Sequence, residues 1–136
     1  MKKILLSSLF AVLLTGFCTF SVKAQDKKVY SSVEMQNPPT YPGGIAKLYE
    51  FLSKNISYPK MAAEAKQEGT VYLSFMIEKD GSLSELQSHG RKLGYGLEEE
   101  AIRVLSMSPP WNPGTHNGEP VIAKYNIPVK FSLKKK

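Results

Sequence analysis

Cysteine is almost absent from this 136-residue chain: there is one, Cys18, inside an apolar run near the N-terminus. A lone thiol cannot close an intramolecular disulfide, so no such staple is expected in the fold. Histidine is nearly as scarce. His89 and His116 are the only two, and neither has a partner at metal-ligand spacing. No serine sits in a Gly-x-Ser-x-Gly elbow, and the glycine groups, "GYG" among them, lack the strand-to-helix setting of a phosphate loop. Glu98, Glu99 and Glu100 resemble paired carboxylates, but they stand in the first turn of an expected helix, where they complement the helix dipole. The expectation is a protein without catalytic residues, metal or cofactor.

What the N-terminus does have is two lysines, an uncharged run from Ile4 to Phe20, and Val22-Lys23-Ala24 with small or modest side chains at the −3 and −1 positions. That is the three-part pattern of a secretory signal peptide, residues 1–24, with cleavage expected between Ala24 and Gln25. The competing reading is a retained membrane anchor, because the run is at the short limit for spanning a bilayer. Lipoprotein processing fits less well, since Cys18 follows Phe17 rather than a small residue. Cleavage removes Cys18 and three of the 18 basic residues, leaving 15 against 12 acidic ones, a net charge near +3 instead of the formal +6. The excess gathers at Lys27-Lys28 and at the Lys134-Lys135-Lys136 tail instead of forming a stripe, so no nucleic-acid partner is expected. The tail reads as solvated charge, with an acidic lipid surface as the alternative. The remaining 112 residues suit one domain: a short polar arm at 25–36, a folded unit at 37–133 and the basic tail at 134–136. The expected location is the periplasm, or the inner membrane if the first segment is retained.

In the arm, Val29, Val33 and Met35 suit a short strand or an extended segment. Beyond Gly43-Gly44, residues Ile45, Leu48, Phe51, Leu52 and Ile56 recur near helical spacing with Lys47, Glu50 and Lys54 outward. That helix should stop near Asn55, because the Tyr58-Pro59 step disfavours helical geometry. Pro59 suits the first turn of a short second helix, "PKMAAEAKQ", which Gly69 is expected to end. The period then drops to two. Val71, Leu73, Phe75 and Ile77 point one way and Tyr72, Ser74, Met76 and Glu78 the other, as in a half-buried strand. Asp80-Gly81 signals a hairpin, and the return strand, about Leu83 to His89, needs a bulge because Leu83 and Leu86 are an odd number apart. After a glycine-rich loop, Gly90 to Gly96, a helix places Leu97, Ala101, Val104 and Leu105 on one face.

The segment "SPPWNPGTHNGEP", residues 108–120, holds four of the nine prolines and the only tryptophan. Ser108-Pro109 ends the helix, Pro113-Gly114 and Asn117-Gly118 turn the chain, and Trp111 reads as a buried clasp more than a binding platform. With Gly69, Gly81 and Gly114 it makes up the expected structural positions. The last strand is the cleanest. Ala123, Tyr125, Ile127, Val129, Phe131 and Leu133 face the core, and Lys124, Asn126, Pro128, Lys130 and Ser132 face away. Pro128 cannot donate to a ladder, so its side of the strand is expected to be an open edge. The expected fold is α+β: a two-layer sandwich of a three-stranded antiparallel sheet, with the Val71 to Ile77 strand in the middle and the final strand at one rim, and two main helices on one face.

The ordered set "YPGG…L…FL..N..YP..A….G.V…F.I..DG", a leucine-to-methionine helix with Glu-Ala at its centre, and "P.W.PG…G.PV….Y..P..F.L" resembles the C-terminal domain of TonB in the form common in Bacteroidetes, from about Glu34 to Leu133. Departures are small: Gln67 replaces a usual aliphatic residue, and the loop Arg91 to Gly96 is the chain's own. The resemblance implies a TonB/TolA-type fold and a periplasmic domain in transport across the outer membrane. Such a domain takes the TonB-box peptide of an outer-membrane receptor as an extra strand. It also implies the contact residues: Ile122, Lys124, Asn126, Pro128, Lys130 and Ser132 on the accepting strand, with Ser57, Tyr58 and Pro59 beside it. Tyr58 has an equal reading as core filler. A full TonB carries a membrane anchor that meets ExbB and ExbD and a long proline-rich spacer. Here about ten residues separate Gln25 from Met35, at most roughly 35 Å of extended chain. A cleaved chain would therefore have no anchor with which to reach ExbB and ExbD. The alternative is an accessory or structural module of an envelope assembly that uses the same edge without energy transduction. A homodimer by edge exchange also suits an open strand.

Overall fold

The computed structural model describes residues 28–133, so the expected signal peptide and the basic tail lie outside the described residues. In chain order the elements are β1 (Val29–Tyr30), α1 (Ile45–Asn55), α2 (Lys60–Glu64), β2 (Gly69–Ile77), β3 (Leu83–His89), α3 (Leu97–Ser106), β4 (Gly114–His116) and β5 (Glu119–Phe131). No helix among the described residues is long and apolar enough to cross a membrane.

The α+β architecture follows from the periodicities. Val71, Leu73, Phe75 and Ile77 of β2 are all buried, as are Leu97, Ala101, Val104 and Leu105 of α3 and Leu48 and Leu52 of α1, and they join one core with Ile127, Val129 and Phe131 of β5. β2 is the central strand, antiparallel to β3 on one side and to β5 on the other. Between Ser74↔Gln87 and Met76↔Ser84 the register slips by one, with Glu85 at φ 51°, which is the bulge that the leucine spacing required. Two faces differ from expectation: Ile45, in the first turn of α1, is 52% exposed, and Ser74 is buried.

The sheet is larger than three strands. Its order is β1-β5-β2-β3, with β4 also on β5. β1 runs parallel to Ile122–Ala123, and β4 pairs antiparallel with Glu119–Val121. Strands of two or three residues carry no readable alternation. β4 did leave a signal, since Asn117 (φ 53°) and Gly118 (φ 77°) form the two-residue left-handed turn of a β4–β5 hairpin. The final strand is consequently not a free rim along its whole length. β1 and β4 cover Glu119 to Ala123, and only from Lys124 onward does its outer side lack a strand among the described residues.

The end of α2 also differs. Gly69 does not cap it; Gly69 opens β2, where an added Cβ would come within 2.8 Å of Leu93. The stop is made three residues earlier by Lys66 at φ 53°, with Lys66 N–H donating to the Ala63 carbonyl and Gln67 N–H to that of Ala62, the paired bonds of a Schellman motif.

Trp111 ties the layers together. It is 2% exposed and meets the rings of Tyr41, Phe75 and Tyr125 edge-on at 5.5, 5.5 and 5.4 Å. Its backbone N–H donates to the Gly81 carbonyl at 2.8 Å, and its indole N–H to Ser108 Oγ at 3.3 Å. A Cβ on Gly81 would lie 1.9 Å from the Trp111 carbonyl oxygen, so the β2–β3 turn and the proline-rich crossover approach as closely as backbones can. At Gly114 a Cβ would meet the Met35 sulfur at 2.6 Å, which packs the arm against the same crossover.

Candidate peptide-binding edge

Beyond Ala123 the two sides of β5 part company. Ile127, Val129 and Phe131 are buried, whereas Lys124, Asn126, Pro128 and Lys130 are exposed. Pro128 lies opposite Tyr72 of β2. Having no N–H, it can only form a non-hydrogen-bonded pair there, so the even-numbered residues turn their backbone groups away from β2. The outward row therefore offers N–H donors at Lys124, Asn126 and Lys130 and carbonyls at all four positions, with no strand beside them among the described residues. β3 is the sheet's other rim, but its bulge at Glu85 breaks the ladder a partner strand would need. Of the remaining accepting-strand residues, Ser132 lies just past the end of β5. Ile122 is buried at the closed end, with Val29 of β1 as its neighbour.

Of Ser57, Tyr58 and Pro59, Tyr58 reaches the far end of the same strand, whereas Ser57 and Pro59 lie against Glu100 and Gly96 at the start of α3. The Tyr58 ring packs edge-on against Phe131 at 5.8 Å, and its hydroxyl donates to the Gln67 carbonyl. Partial burial, with the Glu68 carboxylate adding to it, raises the phenol above its ordinary value. Ser57 donates its backbone N–H to Glu100 Oε1 at 2.9 Å. Glu100 is paired with Arg103 at 2.6 Å, and Arg103 in turn donates to the Asn55 carbonyl at 3.2 Å. The guanidinium first, and the Ser57 N–H after it, hold the Glu100 carboxyl below the usual carboxylate range. Glu98 is 7% exposed, and its carboxylate accepts the backbone N–H groups of Leu93 and Gly94. Two of the three glutamates thus hold specific loops, beyond complementing the helix dipole. Neither role was legible from sequence, because the loop donors are set by tertiary packing.

A groove of about 490 Å³ runs between α1 and the sheet, with Tyr49, Leu52, Ser53 and Ile56 on the helix side and Pro128, Val129 and Lys130 of β5 with Thr70 of β2 on the strand side. The helical spacing puts Leu52 and Ile56 toward the core and gives no role to Tyr49, which is 42% exposed. The gap between helix and strand leaves no mark in the periodicity of either. Among the described residues no three histidine, cysteine, aspartate or glutamate side chains gather as a metal site. What the edge offers is main-chain hydrogen bonding flanked by side-chain contacts on both faces.

The profile of the Gram-negative bacterial TonB protein C-terminal family matches residues 54–133. The chain belongs to this family. Two NMR solution structures of Helicobacter pylori TonB-CTD are similar to the TonB-type domain described above. The one of residues 194–285 is 27% identical with a TM-score of 0.50, covering 68% of this chain and 96% of that one. The one of residues 179–285 is 26% identical with a TM-score of 0.51, covering 68% and 82%. No curated protein matches the chain.

Proposed function

We propose that this TonB-type domain works in the periplasm by binding the TonB-box peptide of outer-membrane receptors as an added strand along β5, in transport across the outer membrane. It acts as an interaction domain and not as an enzyme. The observation that carries the reading is the row of outward backbone groups from Lys124 to Lys130 beside no other strand among the described residues. Main-chain bonds to that row give affinity, and alternate side chains give selectivity. Tyr58, packed on Phe131 at the far end of β5, supports including the Ser57–Pro59 step in this reading.

The orientation of those amides makes the reading testable. Replacing Asn126 or Lys130 with proline removes a donor that β2 does not use, so folding should change little while binding to a synthetic TonB-box peptide is abolished. Unaltered peptide binding by a folded Asn126→Pro variant would exclude this edge. Cleavage at Ala24 would leave four residues before β1 and a domain that binds receptors without an anchored spacer. N-terminal sequencing of the envelope-localised protein, starting at Gln25 or at Met1, distinguishes this free form from an anchored one.

A further inference from the structure

We infer that the groove between α1 and β5 is the selectivity pocket of the edge, and that the edge selects an extended partner peptide in which an aliphatic side chain stands next to a carboxylate. The inference rests on the strand-addition reading. Directly opposed residues on neighbouring strands share a face whether they run parallel or antiparallel. The incoming residue opposite Val129 therefore projects to the helix side, into the space bounded by Tyr49, Leu52 and Ile56. By the alternation of a strand its neighbours, opposite Pro128 and Lys130, project to the other face, although Pro128 and Lys130 themselves also border the groove beside Val129.

That other face has two unmatched ammonium groups. Lys124 lies opposite Met76 and Lys130 opposite Thr70 on β2, both uncharged, and neither lysine belongs to any of the four ion pairs among the described residues. A carboxylate on the added strand directly opposite either lysine completes a cross-strand pair that the domain itself leaves half made. The pattern is an acid opposite Lys130, an aliphatic residue beside it opposite Val129, and a second acid six residues away opposite Lys124. The partner's carbonyl facing Pro128 meets no donor, so recognition at that step depends on side chains.

Fluorescence anisotropy with three labelled nonapeptides tests this: one alternating Glu and Val, one alternating Glu and Ser, one alternating Lys and Val. The wild type should bind the Glu/Val peptide about tenfold or more tightly than either other, the size expected for burying one aliphatic side chain or one matched charge. Ser53→Trp, at an exposed position in the groove, should reduce Glu/Val binding to the Glu/Ser level. The double change Lys124→Glu with Lys130→Glu should reverse the preference toward Lys/Val. Equal binding of Glu/Val and Glu/Ser, or indifference to Ser53→Trp, while Asn126→Pro still abolishes binding, overturns the pocket and leaves strand addition standing. Glu/Val binding that survives Asn126→Pro overturns both. A wild type that binds none of the three, or binds them only after dissociation of a dimer seen by sedimentation, overturns the proposed occupant.

Discussion

Trp111 donates its backbone N–H to Gly81 and meets three rings edge-on, so a single side chain joins the hairpin turn, the crossover and the core. Trp111→Ala should lower stability by about 3–5 kcal/mol, read as a fall in the urea midpoint at unchanged slope. A loss below about 1 kcal/mol would contradict that role. Burial of a large aromatic among prolines was legible from sequence. The partnership with Gly81 was not, because it joins segments thirty residues apart and depends on the absence of a side chain. Lys66 shows a residue-scale misreading of a different kind. Glycine is the expected left-handed cap and Gly69 is the nearest one, yet a lysine holds φ 53° and terminates α2. Lys66→Gly should therefore raise stability by about 0.5–1 kcal/mol in a thermal melt, and a decrease would show that the lysine side chain contributes more than its backbone strain costs.

At the scale of elements, the long periodic pieces announced themselves and the short ones did not. β2, α3 and the inward face of β5 show their burial directly in their spacing, whereas β1 and β4 exist only through their pairing with β5. The link between the Ser57–Pro59 step and α3 is likewise tertiary, and it gives the domain an acid-sensitive joint. Glu100 has a depressed carboxyl, so its contribution is complete above the ordinary carboxylate value near 4.5 and is lost as pH falls through the lower folded value. Between pH 7 and pH 3 the wild type should lose about 1 kcal/mol more stability than Glu100→Gln, measured as paired urea titrations. Identical pH dependence of the two proteins would show that the charge on Glu100 contributes nothing to the fold.

For the whole molecule, the decisive feature is how the sheet ends. Among the described residues, β1 and β4 close β5 as far as Ala123, the bulge disrupts β3 on the opposite rim, and the stretch from Lys124 to Phe131 is left as the regular edge. Pro128 made the sidedness of that edge legible from sequence, while its length and the groove beside it required the packed structure. The most direct measurement is amide hydrogen exchange, followed by NMR on the labelled domain with and without a TonB-box peptide. Strand addition predicts that the outward amides of Lys124, Asn126 and Lys130 gain protection when the peptide binds, while Tyr125 and Ile127, already directed at β2, change little. Saturating peptide that leaves those three amides exchanging at their original rates, or that protects β3 in their place, would contradict the account.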